Sequence, residues 1–153
     1  MNFDVQKQEE FSKYVLDIIK FSFDKGVLKE SEHPFTTEFN NKDVRITIHY
    51  YENDILSAIY STVHEVGHAI YEQQISDEYD KTRILAGGST MGIHEAQSRF
   101  YENVIGKQEE FSYLVHELLK KYFDIELTKE ELHLVINDVS ASFIRTEADE
   151  LTY

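Results

Sequence analysis

Apolar residues recur along this chain with two periods, and the periods divide it into elements. Phe3, Phe11, Tyr14, Val15, Ile18, Ile19 and Phe23 form a broad helical stripe, which predicts a helix over residues 3–23 with Gly26 as its stop. Residues 24–42 contain Pro34 and read as a connection with a short extended piece. Val44, Ile46 and Ile48 then alternate with Arg45, Thr47 and His49, the period of two expected of a half-buried strand. Phe35 to Phe39 lie on the other side of the turn residues Asn40, Asn41, Lys42 and Asp43. Together they predict one small antiparallel hairpin and little other strand.

Ile59, Val63, Val66 and Ile70 return to helical spacing and predict a helix over residues 54–74, capped by Asn53 or Asp54. Tyr60, His64, His68 and Tyr71 form a second row beside that stripe, so this helix is expected to be buried over much of its circumference. Ser76 to Lys81 is polar and reads as loop, and Gly87-Gly88-Ser89-Thr90 breaks the chain before a helix over residues 90–104 ended by Gly106. Phe111, Leu114, Val115, Leu118, Leu119 and Tyr122 share the face of another helix, over residues 108–122. Thr128-Lys129-Glu130-Glu131 has the form of a capping box and opens a short helix through Leu132, Val135 and Ile136. Residues 138–143 read as irregular, and residues 144–153 begin a last helix. The expected fold is mainly α-helical, a single domain over residues 1–153.

At 153 residues the chain has room for a sizeable core. Its 29 acidic against 15 basic residues give a net charge of −14. That charge opposes binding to nucleic-acid phosphates and to an anionic membrane surface. Cysteine is absent, so any metal ligand must be His, Asp or Glu. No stretch approaches the ~20 apolar residues of a membrane span, and the first residues lack a basic region followed by an apolar core. A soluble cytoplasmic protein is the expectation.

The helix over residues 54–74 carries His64-Glu65-Val66-Gly67-His68. Two histidines four apart on a helix differ by roughly 40° around the axis and about 6 Å along it, so both imidazoles can reach one cation. Glu65 is placed to accept a proton from a water at that cation. Gly67 sits mid-helix at a cost of roughly 1 kcal/mol relative to alanine, which suggests a close approach by another backbone or a ligand. A catalytic zinc takes three protein ligands, and Glu95, in His94-Glu95-Ala96-Gln97-Ser98, is the outstanding candidate for the third. The competing reading of Glu95 is an i,i+4 ion pair with Arg99 on a solvated face.

Several short segments appear in order: His33-Pro34-Phe35, Asp43-Val44-Arg45-Ile46-Thr47, His64 to His68, Gly92-Ile93-His94-Glu95-Ala96-Gln97-Ser98-Arg99, and Ile144-Arg145-Thr146-Glu147-Ala148-Asp149. In this set and order the chain resembles the carboxypeptidase Taq, or thermostable carboxypeptidase 1, metallopeptidases along essentially its whole length. The resemblance implies a gluzincin-like helical core with one zinc per chain, Co2+ being a workable substitute. It implies His64, His68 and Glu95 as ligands and Glu65 as general base. It associates Arg45 and Arg145 with the substrate groove and the peptide's terminal carboxylate, the competing reading being ion pairs with Asp43 or Glu147. His94 is implied as a substrate-facing or supporting group, against simple helix packing. The implied function is a metallocarboxypeptidase acting on peptides. The alternatives are a truncated, non-catalytic zinc-binding remnant or one part of a split enzyme, and an endopeptidase of the broader H-E-x-x-H group. Family members are several times longer. The resemblance therefore places this chain as the metal-binding middle without its flanks, self-associating as a homo-oligomer or pairing with a complementary chain.

Overall fold

In the computed structural model, which describes residues 2–82, 84, 86 and 90–139, one long helix lies between two apolar clusters. That helix is α2, Ile55–Gln73, and the Asp54 side chain caps it by accepting from the Ser57 backbone N–H at 3.1 Å. One side of α2, with Ile55, Ile59 and Val63, packs against helices α1 (Val5–Ile18), α5 (Glu109–Phe123) and α6 (Lys129–Ile136). Its other side, with Ala58, Val66, Ala69 and Ile70, packs against a small sheet. The burial expected from its two rows of residues is therefore real. Among the described residues, no helix is long and apolar enough to cross a membrane.

The hairpin is present as β2 (Phe35–Asn40) and β3 (Asp43–Ile48), paired antiparallel with Phe35 opposite Thr47 and Thr37 opposite Arg45. A third strand, β1 (Gly26–Glu30), lies parallel to β3 on its other edge, with Gly26 opposite Val44. Gly26 thus starts a strand instead of stopping a helix. A Cβ on it would lie 2.0 Å from the Val44 carbonyl oxygen, so only glycine lets the two backbones come together there. Helix α1 ends well before Phe23, because Lys20 turns left-handed at φ 72° and the Phe21 and Lys20 N–H groups bond back to Leu16 and Asp17. This is a Schellman stop, sealed by Leu16 and Phe21 in one apolar cluster. No glycine marks it, which is why the apolar stripe overran it.

After α2 the polar stretch expected as loop forms a short helix, α3 (Asp77–Thr82), with acidic residues in its first turn. Helix α4 (Met91–Arg99) begins at Thr90, whose hydroxyl accepts from the Ile93 N–H, and passes into a π-helical turn over Phe100–Ile105 that Gly106 closes. The capping box at Thr128 and Glu131 has both of its reciprocal hydrogen bonds. The helix expected after residue 144 lies outside the described residues, and so does Arg145.

Candidate metal centre

Helices α2 and α4 touch backbone to backbone at Gly67. A Cβ there would sit 2.6 Å from Ser98 Cα and 3.1 Å from the Gln97 carbonyl oxygen. The glycine's helical cost is thus exchanged for a close crossing, and the crossing brings Glu95 of α4 over the histidines of α2. Glu95 Oε2 lies 3.7 Å from His64 Nε2 and 3.3 Å from His68 Nε2. In a tetrahedral site with bonds of about 2.0–2.1 Å, donor atoms stand roughly 3.3 Å apart. The three ligand atoms lie within 4.8 Å of one another, a grouping that could hold a metal ion.

The opposite nitrogen of each histidine is already engaged, which turns both Nε2 atoms inward. His64 Nδ1 is 2.8 Å from Glu102 Oε2 in the π-helical turn, and Arg99 Nη1 donates to the same oxygen at 3.1 Å. His68 Nδ1 is 2.6 Å from His94 Nδ1, and His94 Nε2 is 2.6 Å from Glu72 Oε1. Glu95 also accepts from Ser98 Oγ at 3.2 Å and faces Arg99 Nε at 3.8 Å. The Glu95–Arg99 pair therefore exists alongside the convergence on the histidines and does not replace it.

Glu65 is buried beside this group. Thr36, on β2 opposite Ile46 and so on the sheet face toward α2, donates its hydroxyl to Glu65 Oε2 at 2.7 Å. Among the described residues nothing donates to Oε1. Burial pushes the Glu65 carboxyl above its ordinary value, against the Thr36 hydrogen bond and the His64 charge. His64 loses by burial but gains more from the hydrogen bond and charge of Glu102, and its imidazole ends above the ordinary value. His68 falls to about 4 through burial and the neighbouring His64 and His94, so it is neutral near pH 7. His94 is raised by its hydrogen bond to Glu72. Glu102 is pushed up by burial, but the hydrogen bonds and charges of His64 and Arg99 outweigh that and hold it below the usual carboxylate value.

Four carboxylates, Glu65, Glu72, Glu95 and Glu102, surround these imidazoles, with Arg99 paired to two of them. Such an excess of partly buried negative charge is costly unless a cation offsets it. The donor set, two imidazole nitrogens and a carboxylate oxygen, fits a zinc-like ion. A cleft of about 480 Å³ opens beside it, bordered by Phe35, Thr36, Glu65, His68, Glu72 and His94.

The other sequence candidates are placed differently. Arg45 alternates with the buried Val44 and Ile46, so it lies on the outer face of the sheet, away from α2. There it binds Asp43 through two contacts of 2.8 Å, and its guanidinium stacks 4.6 Å from the Phe39 ring centre. The structure does not bring it to the histidines. His94 is brought there, with both ring nitrogens spent on His68 and Glu72. Sequence reasoning missed Glu72, Glu102 and Thr36. Glu72 had a signal, since it follows His68 by four residues on the same helix. Thr36 and Glu102 had none, because their role depends on sheet packing and on the π-helical turn.

A family model described as carboxypeptidase Taq (M32) metallopeptidase matches residues 1–153. The chain is 44% identical over 154 residues to Carboxypeptidase 1 of Bacillus subtilis (strain 168), a match covering 99% of this chain and 30% of that protein. It is 50% identical over 139 residues to Thermostable carboxypeptidase 1 of Pyrococcus furiosus, covering 88% and 28%. A solved structure of Pyrococcus furiosus carboxypeptidase, described as Apo-Mg, superposes with a TM-score of 0.92 at 43% identity, over 100% of this chain and 31% of that one. The chain thus spans less than a third of the length of these relatives.

Proposed function

This chain belongs to the carboxypeptidase Taq (M32) metallopeptidase family, and on that premise we propose that it forms the metal-binding part of a zinc-dependent carboxypeptidase that releases C-terminal residues from peptides. The observation that carries the reading is the convergence of His64 Nε2 and His68 Nε2 on one oxygen of Glu95, with Glu65 anchored beside them. His64, His68 and Glu95 would hold one zinc, with Co2+ a workable substitute. When bound, the ion would polarise a peptide carbonyl and lower the pKa of a water.

Glu65 performs the proton transfers. Thr36 holds its Oε2, which leaves Oε1 to take a proton as water oxygen bonds to the carbonyl carbon. As the carbon–nitrogen bond breaks, the same proton passes to the leaving amine nitrogen. Its raised carboxyl is a better proton acceptor than an ordinary glutamate. The cleft beside Phe35 and Thr36 gives a peptide a partly apolar wall. Arg145, from the Ile144-Arg145-Thr146 segment, is the guanidinium proposed for the peptide's terminal carboxylate. His94 is assigned to holding His68, since neither of its nitrogens is left for substrate.

Elemental analysis should find about one zinc per chain, and Glu95→Ala should lose it. Unchanged stoichiometry and affinity in that variant would remove Glu95 from the ligand set. Glu65→Gln should keep zinc and abolish peptide hydrolysis by the protein, because an amide has the shape but cannot accept the proton. End-group analysis should show single residues leaving the C-terminus; internal cleavage would favour an endopeptidase.

A further inference from the structure

Glu72 is a carboxylate only 3% exposed, and a charge so deep needs a partner. It stands one helical turn after His68 on α2, yet it reaches that histidine only through His94 of α4. Between His68 Nδ1 and His94 Nδ1, 2.6 Å apart, there is room for one proton. If His68 Nε2 is to keep its lone pair toward Glu95, that proton belongs to His68 and is donated to His94. His94 then carries its own proton on Nε2 and donates it to Glu72 Oε1. This assignment satisfies every ring nitrogen in the chain of contacts. The reverse assignment puts a proton on His68 Nε2 and removes it as a ligand.

We propose that Glu72 and His94 are positioning residues of the metal centre. The buried Glu72 carboxylate fixes the His94 tautomer, and His94 in turn fixes the tautomer and orientation of His68. The inference rests on the zinc reading above. It goes beyond tying two helices together, because the crossing at Gly67 already holds α2 against α4. What Glu72 adds is a choice of which nitrogen bears the proton, two residues away from it. Metal-binding histidines commonly hand their second nitrogen to a carboxylate; here an imidazole is interposed.

The test is zinc affinity of the 153-residue chain, measured by competition with a chelator. Glu72→Gln keeps the volume and an oxygen acceptor but drops the charge, and should raise the apparent Kd several-fold. Glu72→Leu drops both and should weaken zinc about 10- to 100-fold. In a His94→Leu background, Glu72→Leu should cost nothing further, because its influence passes through the imidazole. In the zinc-loaded wild-type chain, nitrogen-15 shifts should place the proton on Nδ1 of His68 and on Nε2 of His94. An affinity for Glu72→Leu within about two-fold of wild type overturns the proposal, as does a loss that persists in the His94→Leu background. A proton on Nδ1 of His94 in the zinc-loaded chain overturns it without any variant, so a Glu72→Leu chain that fails to fold does not shield it. His68→Ala is the control for the zinc reading itself. If that variant still binds one zinc, the ligand set is wrong, which is a different failure.

Discussion

His64 and His68 stand one turn apart on the same helix, but their surroundings move their imidazoles in opposite directions. His64 rests directly on Glu102, a carboxylate shared with Arg99, and its imidazole is raised. His68 rests on another imidazole, His94, with the carboxylate of Glu72 one contact further away, and it falls to about 4. Both are partly buried, with side-chain exposures of 22% and 14%, so burial alone does not separate them. Their charged neighbours do: Glu102 raises His64, whereas the charges of His64 and His94 lower His68. A carboxylate favours the charged ring, whereas a second imidazole does not. Residue type and helical spacing therefore define a pair of candidate ligands without making them equivalent.

The largest effect should come from breaking both supports at once. Gly67→Ala would place a Cβ 2.6 Å from Ser98 Cα, backbone that cannot rotate away, so α4 must shift and take Glu95 and His94 with it. Overpacking of this kind costs about 1–3 kcal/mol. Thermal unfolding should show that loss together with the loss of stoichiometric zinc, and a variant with normal zinc would show that the crossing does not set the centre.

Removing the direct support alone separates the two arms. Glu102→Ala frees His64 Nδ1 and leaves Arg99 without its 3.1 Å contact. Zinc affinity by chelator competition should fall about 10- to 100-fold. An effect smaller than that of Glu72→Leu would mean that the interposed imidazole transmits more than the direct carboxylate, reversing the comparison.

Thr36→Val leaves both arms intact and touches only Glu65. Zinc affinity should stay at the wild-type value, while peptide turnover by the protein drops roughly ten-fold or more, as expected for losing a hydrogen bond to a charged group. A fall in zinc affinity would show that Thr36 supports the ligands and not the base.

The smallest effect lies far from the centre. Thr128→Ala removes an N-cap and should cost about 1 kcal/mol in denaturant unfolding, with zinc unchanged. Glu131 is held below its ordinary value by the backbone and side-chain hydrogen bonds of Thr128. Its folded value is depressed, so its contribution is present above the unfolded value near 4.5 and fades as pH falls through the lower folded value. Thr128→Ala removes the hydroxyl donor but keeps the backbone N–H that also donates to Glu131, so that part of the acid dependence should shrink.

The capping box at Thr128, the cap at Asp54 and the long stripe of α2 were all legible in the sequence, because each depends on residues within a turn or two of one another. His64, Glu65 and His68 belong to the same class: a shared helix dictates their spacing. Elements that depend on distant partners escaped. β1 exists because Gly26 lets its backbone meet β3; the α1 stop at Lys20 is local but escaped for another reason, since no glycine announces it. Glu95 falls between the two classes. Its helix could be read from Thr90 onward, but its arrival over the histidines needed the α2–α4 crossing, which Gly67 only hinted at. Arg45 shows the limit most plainly, since strand alternation alone places it on an outer or inner face, and only the packing of Val44 and Ile46 against α2 turned it away from the centre. The two histidines proposed as ligands were determined locally by helical periodicity. Their supports, Thr36, Glu72 through His94, and Glu102, were decided by tertiary structure, because hydrogen bonds between separate elements form only once packing has fixed where those elements meet.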